Sequence, residues 1–263
     1  MKIVVCIKQV PDTTEVRLDP KTNNLIRDGV PSIINPDDKA GIEGALRLRE
    51  ANPGATVTVV SMGPPQADVA LREALAMGAD EAILISGREF GGADTLATGT
   101  TIAGALKKIG YDLIITGRQA IDGDTAQVGP QIAEQLGLAQ VGYAEDIKID
   151  GEYAIVKRQY DDCYHIIKVK MPCLITALSQ LAEPRYMTVH GIADAYAKEI
   201  TVLGYEELKD MYAEGTIGRT GSPTNVAESF TKQAKAKGTL LTGLTVDEAV
   251  QAIVDKLDER HLI

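Results

Sequence analysis

The 263-residue chain sets 27 Lys and Arg against 37 Asp and Glu, a formal net charge of −10, and holds 44% hydrophobic but only 4% aromatic residues, with no Trp. The acidic excess argues against a nucleic-acid groove, because phosphate binding favours basic faces, and it suits a soluble protein that meets a partner with a basic patch. The length fits one large domain or a domain plus an appendage, and Ala, Val, Ile and Leu must pack its core, as in helix-on-sheet layers. Cys6, Cys163 and Cys173 are odd in number, widely separated and form no C-x-x-C, which argues against a disulfide framework and for a reducing compartment. The apolar run after Lys2 is too short for a signal peptide, and no run approaches the ~20 residues that span a bilayer. The expectation is a cytoplasmic protein, or one of an organelle matrix, without a transmembrane segment.

Lys2 to Lys8 encloses a continuous apolar run, the pattern of a strand buried on both faces of a parallel sheet. Gln9 to Thr14 reads as a loop, since Pro11 removes a ladder donor, and residues 15 to 34 alternate weakly around Asp19 to Asn24, suggesting an excursion or hairpin. Asn35-Pro36-Asp37-Asp38 opens a helix, with Ile42, Ala45 and Leu46 at helical spacing. Strands follow at Thr56 to Ser61, Glu81 to Ser86 and Tyr111 to Thr116. Between them lie a helix stopped by Gly78 and a helix capped by Asp94 or Thr95. After Gly117 a polar loop with Asp122, Gly123, Asp124 and Thr125 leads into a helix from about Thr125, capped by Asp124 or Thr125.

These repeats of strand and amphipathic helix demand right-handed crossovers: an α/β fold, a mostly parallel sheet with helices on both faces. Residues 145 to 170 alternate polar and apolar around turns at Asp150-Gly151 and Asp161-Asp162, an antiparallel meander, and Pro172 to Leu178 returns to an apolar strand. Residues 184 to 235 read as an extended arm with short helices around Tyr205 to Tyr212. Thr245 to Leu257 reads as a helix whose stripe of Val246, Ala249, Val250, Ile253 and Leu257 needs cover from the core or a partner. The division is an α/β domain over 1–183, a partner-binding arm over 184–235 and a C-terminal helical segment over 236–263.

The chain lacks G-x-G-x-x-G after its first strand, a P-loop and a G-x-S-x-G elbow. His165, His190 and His261 have no nucleophile or carboxylate at a telling spacing. Cys163, His165 and Cys173 lack a fourth metal ligand, and Asp122 with Asp124 departs from the EF-hand pattern. Polar and small residues instead collect where strands end: Cys6, Asn35 to Asp38, Met62-Gly63, Asp94-Thr95 and Gly117 to Val128. Such rims hold ligands in α/β sheets, with helix N-termini for phosphates and strand-end backbone for a base.

Asn35-Pro36, Val60-Ser61-Met62-Gly63-Pro64, Ala74 to Asp80, Gly117 to Asp124 and Glu183-Pro184-Arg185-Tyr186 together resemble the electron-transfer flavoprotein beta subunit, in register over essentially the whole chain. The resemblance implies an adenine-nucleotide-alpha-hydrolase-like domain in a heterodimer with an alpha subunit that carries its own FAD, onto which the C-terminal segment packs. Lys8 to Thr13 and Asp122 to Gly129 look like the electron-bifurcating type, whose beta crevice holds a second FAD that takes hydride from NADH. The partners implied are an acyl-CoA dehydrogenase or similar flavin dehydrogenase, and ferredoxin or flavodoxin.

Carried over by position, the cofactor contacts are Cys6, Asn35, Pro36, Asp37, Asp38, Met62, Gly117, Arg118, Gln119, Ala120, Ile121, Asp122, Gly123, Asp124, Thr125, Ala126, Gln127 and Val128; Asp94 and Thr95 are added from their neighbouring loop. Arg118, or the backbone N–H groups where the helix begins near Thr125, is placed to stabilise the reduced flavin anion or the diphosphate, and Val10, Pro11 and Asp12 border the face where nicotinamide stacks. Leu181, Glu183, Arg185 and Tyr186 look like the family's partner-docking loop, while the lysine-rich tract that follows in some relatives is reduced to Lys198. The competing expectations are a simple one-electron carrier with a structural AMP, and an adenine-nucleotide sensor resembling universal stress proteins.

Overall fold

The computed structural model describes residues 1–12, 31–227 and 237–263. The readings at 13 to 30, and the part of the arm at 228 to 236, lie outside the described residues. The chain forms two compact units, Met1–Glu228 and Ser229–Ile263.

In the first unit the order is β1 (Lys2–Ile7), β2 (Gln9–Pro11), β3 (Ser32–Ile34), α1 (Pro36–Ala51), β4 (Thr56–Met62), α2 (Asp68–Met77), β5 (Glu81–Ile85), α3 (Thr95–Ile109), β6 (Leu113–Gly117) and α4 (Val128–Leu136). Then follow β7 (Ala139–Asp150), β8 (Tyr153–Gln159), β9 (Tyr164–Lys170), β10 (Cys173–Ala177), α5 (Val189–Ala197), β11 (Thr201–Leu203) and α6 (Tyr205–Leu208). Nine strands make one sheet in the order β11-β5-β4-β1-β6-β10-β7-β8-β9, parallel from β11 to β7 and antiparallel from β7 to β9.

The continuous apolar runs are explained by two cores. Ile3, Val5 and Ile7 of β1 pack with Ile42 and Leu46 of α1 and Leu71 of α2 on one face. Val4 and Cys6 pack with Ile102 and Leu106 of α3 and Ile132 of α4 on the other. Alternation thus feeds both faces with apolar side chains. The chain leaves β1 for β4 on one side and later returns to β6 on the other, so a crevice opens above the carboxyl ends of β1 and β6.

Four readings are corrected. Gln9 to Pro11 is not loop but pairs antiparallel with Ser32–Ile34; Pro11 is tolerated because this is a separate two-stranded ribbon with no central ladder to break. The stretch after 184 is more than an extended arm: α5 packs on α2, and β11 joins the main sheet at β5. α5 was concealed by Gly191, where a Cβ would stand 2.7 Å from the Ala76 carbonyl oxygen; the glycine permits helix contact rather than breaking the helix. The helix placed from Thr125 begins at Val128, with Gln127 at its N-cap position and no side-chain cap. Neither Asp124 nor Thr125 caps it.

In the second unit α7 (Val246–Asp258) opens with a capping box. The Thr245 N–H donates to Glu248 Oε2 at 2.8 Å, and the Glu248 N–H donates back to Thr245 Oγ1 at 3.4 Å. Val246, Val250 and Ile253 of its stripe are exposed.

Candidate functional site

The first turn of α1 ties the crevice together. Pro36 stands at the first helical position, where its missing N–H costs nothing, and Asn35 makes no cap hydrogen bond. The Asn35 side chain turns instead to the loop after β6: its Nδ2 donates to the Gln119 carbonyl at 2.8 Å, and its Oδ1 accepts the Ile121 N–H at 3.1 Å. Asp38 accepts the Lys8 N–H at 2.7 Å and the Gly117 N–H at 2.9 Å, joining the ends of β1 and β6. Asp37 accepts the Ser179 N–H at 2.9 Å beyond β10, and its other oxygen lies 3.5 Å from Arg118 Nε. Three buried polar side chains thus hold four chain segments in register, each with hydrogen-bond partners that offset part of its desolvation.

Burial pushes the Asp38 carboxyl up to about 7, against the pull of the Lys8 N–H, the Asn35 amide and the Gly117 N–H. Burial, and then the Asp38 charge, push the Cys6 thiol up to about 12, so it stays protonated and is no nucleophile at neutral pH. Burial also raises the Asp37 carboxyl, opposed by Arg118 and backbone donors.

Above this clamp lies a cavity of about 810 Å³, within the range of nucleotide and cofactor sites. Of the residues expected there, Cys6, Asp38, Met62, Asp94, Thr95, Gly117, Arg118, Gln119, Ala120, Gly123, Thr125, Ala126, Gln127 and Val128 line it. Asn35, Pro36, Asp37, Ile121, Asp122 and Asp124 do not; the first three lie beneath it in the clamp. Sequence reasoning missed an apolar wall of Ile85, Phe90, Ile102 and Ile132; Lys8 and Gly129, which it named only as parts of neighbouring motifs, also line the cavity. Phe90 is one of two Phe in the chain and follows a strand end, a signal that was available.

The loop from Gln119 to Gln127 is preset. Asp124 (φ 50) and Ala126 (φ 52) are left-handed, a region that costs a side-chain-bearing residue about 1 kcal/mol or more. Gln119 Nε2 donates to Asp124 Oδ1 at 2.8 Å, which engages the carboxylate expected to cap α4. Lys8 Nζ sits 2.7 and 2.8 Å from the two Asp122 oxygens, bridging the exit of β1 to the loop. The first N–H groups of α4 are therefore left without a side-chain cap beside the cavity, a place that attracts anions.

Gly129 is required there: a Cβ would lie 2.6 Å from Thr116 Oγ1. Asp94 caps α3 through the Ala97 N–H at 3.0 Å and accepts Thr224 Oγ1 at 2.7 Å. Burial raises its carboxyl, but the donors of Ala97, Thr224 and Leu96 outweigh that and hold it low. Thr95 Oγ1 donates to Gln127 Oε1 at 2.9 Å, linking the two helix starts.

Val10 is buried in the ribbon, Pro11 is half-buried and Asp12 is exposed; none of the three lines the cavity. In the expected docking loop, Leu181 packs on α1, where a Cβ on Gly44 would stand 2.8 Å from Leu181 Cδ2. Arg185 binds Glu43 through Nε at 2.7 Å and Glu50 through Nη1 at 2.6 Å, Glu183 offers its carbonyl to Arg47, and Tyr186 is 98% exposed. Among the described residues no group of three His, Cys, Asp or Glu could hold a metal ion, and no helix is long and apolar enough to cross a membrane.

The family model for the electron transfer flavoprotein domain matches residues 22–208. The chain is 53% identical, over the full length of both, to the caffeyl-CoA reductase-Etf complex subunit CarD of Acetobacterium woodii. It is likewise 53% identical, over the full length of both, to the electron transfer flavoprotein subunit beta of Clostridium acetobutylicum. It is 51% identical, again over both full lengths, to the acryloyl-CoA reductase electron transfer subunit gamma of Anaerotignum propionicum. A parallel sheet with an anion-ready crevice, together with end-to-end identity of this order, leads to one statement: the chain belongs to the electron transfer flavoprotein family, as a subunit of the beta type.

Proposed function

We propose that the crevice holds the adenine nucleotide of an FAD, and that the chain pairs with an alpha subunit bearing its own FAD. In this reading NADH delivers electrons at the beta site. They pass by bifurcation to the alpha-subunit FAD and its acyl-CoA dehydrogenase on one side, and to ferredoxin or flavodoxin on the other. One observation carries it: the uncapped start of α4 opens on a cavity whose far wall is apolar. That pairing suits phosphate at one end and a flat ring at the other.

FAD, when bound, supplies the redox chemistry. The chain supplies the rest. The first-turn N–H groups of α4 take phosphate, Met62 and Phe90 offer the apolar wall, and Arg118 and Lys8 bring positive charge to the rim. Buried Val10 anchors the ribbon expected beside NADH, leaving Pro11 and Asp12 as its accessible part. For docking, Leu181 and Arg185 hold the arm on α1 while Tyr186 and Val189, both largely exposed, offer contact surface. The segment over 236–263 is assigned to the alpha subunit, which would cover the α7 stripe. Relatives named for caffeyl-CoA and acryloyl-CoA reductases support a partner that works on acyl-CoA compounds.

The test is cofactor extraction with a visible spectrum of the purified complex. Two FAD per heterodimer is expected. One FAD plus AMP would overturn bifurcation in favour of the simple carrier.

A further inference from the structure

Asp37 and Asp38 put two buried carboxylates side by side under the crevice. Among the described residues no cationic side chain makes a hydrogen bond to either one. Lys8 Nζ turns away onto Asp122, 2.7 and 2.8 Å from its two oxygens, and only the Lys8 backbone N–H reaches Asp38. Arg118 Nε stands 3.5 Å from Asp37 Oδ2, yet both atoms are buried without a hydrogen-bond partner. The N–H groups of Lys8, Gly117 and Ser179 and the Asn35 side chain supply dipoles, not charge.

An anion brought to the start of α4 meets this excess of negative charge. Gly129 of α4 is packed against Thr116 near the end of β6, and the N–H of the next residue, Gly117, donates to Asp38 at 2.9 Å. The helix start and the Asp38 carboxylate thus flank one strand end, and Asp38, Gly117 and Gly129 all line the cavity. Burial weakens screening, so a phosphate and two ionised carboxylates repel one another there. Drawing Arg118 to the phosphate gives no relief, since Asp37 would then lose its nearest cation. Of the other titratable groups, Cys6 faces Asp38 from β1 but its thiol is already protonated. Asp94, at the start of α3, is held low by Ala97 and Thr224, and Glu43, further along α1, is engaged by Arg47 and Arg185. Asp38 is the group left to change, with burial already pushing its carboxyl up to about 7.

We propose that above neutral pH an anionic nucleotide enters this crevice together with a proton, taken from solvent, which settles on Asp38. The proton returns to solvent when the nucleotide leaves. Asp38 is thus a positioning residue whose charge state answers to the occupant, and affinity falls as pH rises. The inference rests on the cavity holding an adenine nucleotide. An Asp38 that served only to tie β1 to β6 would leave binding indifferent to pH.

The measurement is calorimetric titration of the full-length chain, stripped of cofactor, with AMP and with uncharged adenosine. Above pH 7 the AMP phosphate is nearly all dianion, so a change with pH belongs to the protein. At pH 7.5, buffers of different ionisation enthalpy should report uptake of about half a proton with AMP and none with adenosine. AMP affinity should fall about three- to tenfold from pH 7 to pH 9, while adenosine affinity stays level. Asp38→Asn should bind AMP with no proton uptake and a level profile. In the native chain the Asp38 carboxyl carbon, followed by carbon-13 NMR, should titrate about one pH unit higher with AMP bound, a readout that stands even where the variant does not fold. The linkage is overturned by AMP binding without proton uptake, by equal uptake with adenosine, by uptake kept in Asp38→Asn, or by an unmoved Asp38 midpoint. Failure of AMP to bind at any pH would instead bring down the cavity reading, and the linkage with it.

Discussion

Asn35 makes two hydrogen bonds to a loop more than eighty residues further along the chain, and neither is a helix cap. Its neighbour Asp38 does the same for β1 and β6, so the Asn-Pro-Asp-Asp turn shapes the crevice chiefly from beneath. Gly117 follows from this closeness: a Cβ there would lie 2.1 Å from Asp38 Oδ1 and 3.0 Å from the Asp38 backbone nitrogen. Gly117→Ala should therefore cost about 1–3 kcal/mol by overpacking, read as a lower denaturant midpoint at unchanged slope. Asp38 also gives a pH signature. Its folded pKa, about 7, lies above the ordinary carboxylate value of 3.8, so its contribution is fully present below 3.8 and is lost as pH rises through about 7. The stability gap between the native chain and Asp38→Asn should shrink from pH 4 to 7 in urea titrations; a gap that widens with pH would contradict the assignment.

At the scale of elements, the α4 start is proposed as an anion site because two neighbours are left-handed and one carboxylate is engaged elsewhere. Ala126→Gly should relieve the left-handed backbone and leave stability unchanged or raised by up to about 1 kcal/mol. The same change should weaken nucleotide binding several-fold by freeing the preset loop, a split that calorimetric titration and thermal melts read together. The β–α repeats were legible because strands buried on both faces read as unbroken apolar runs. The start of α4 was not, because Asp124 and Thr125 look like caps until Gln119 is seen to bind Asp124. The insertion of β10 between β6 and β7 is set by pairing across the sheet, which no local pattern encodes. The parts of the stretch expected to dock a partner divide: Leu181 and Arg185 are used internally, and Tyr186 stands in solvent.

Across the whole molecule, two cores flank one sheet and leave its carboxyl rim as the place where polar side chains, glycines and a helix start converge. The predicted contacts taken from strand ends and from the β6–α4 loop mostly line the cavity, because strand direction alone puts them at that rim. The wall supplied by Ile85, Ile102 and Ile132 was hidden, because an apolar residue facing a cavity reads as ordinary core. The chemistry proposed for the chain is that of a holder, with main-chain amides to clasp an adenylate; the one thiol in the cavity stays protonated. The most direct test is amide hydrogen exchange of the purified full-length chain with and without AMP. The account predicts new protection concentrated in the loop from Gly117 and the first turn of α4, above all at Val128 and Gly129. Protection confined to other parts of the chain, with those amides unchanged, would contradict it.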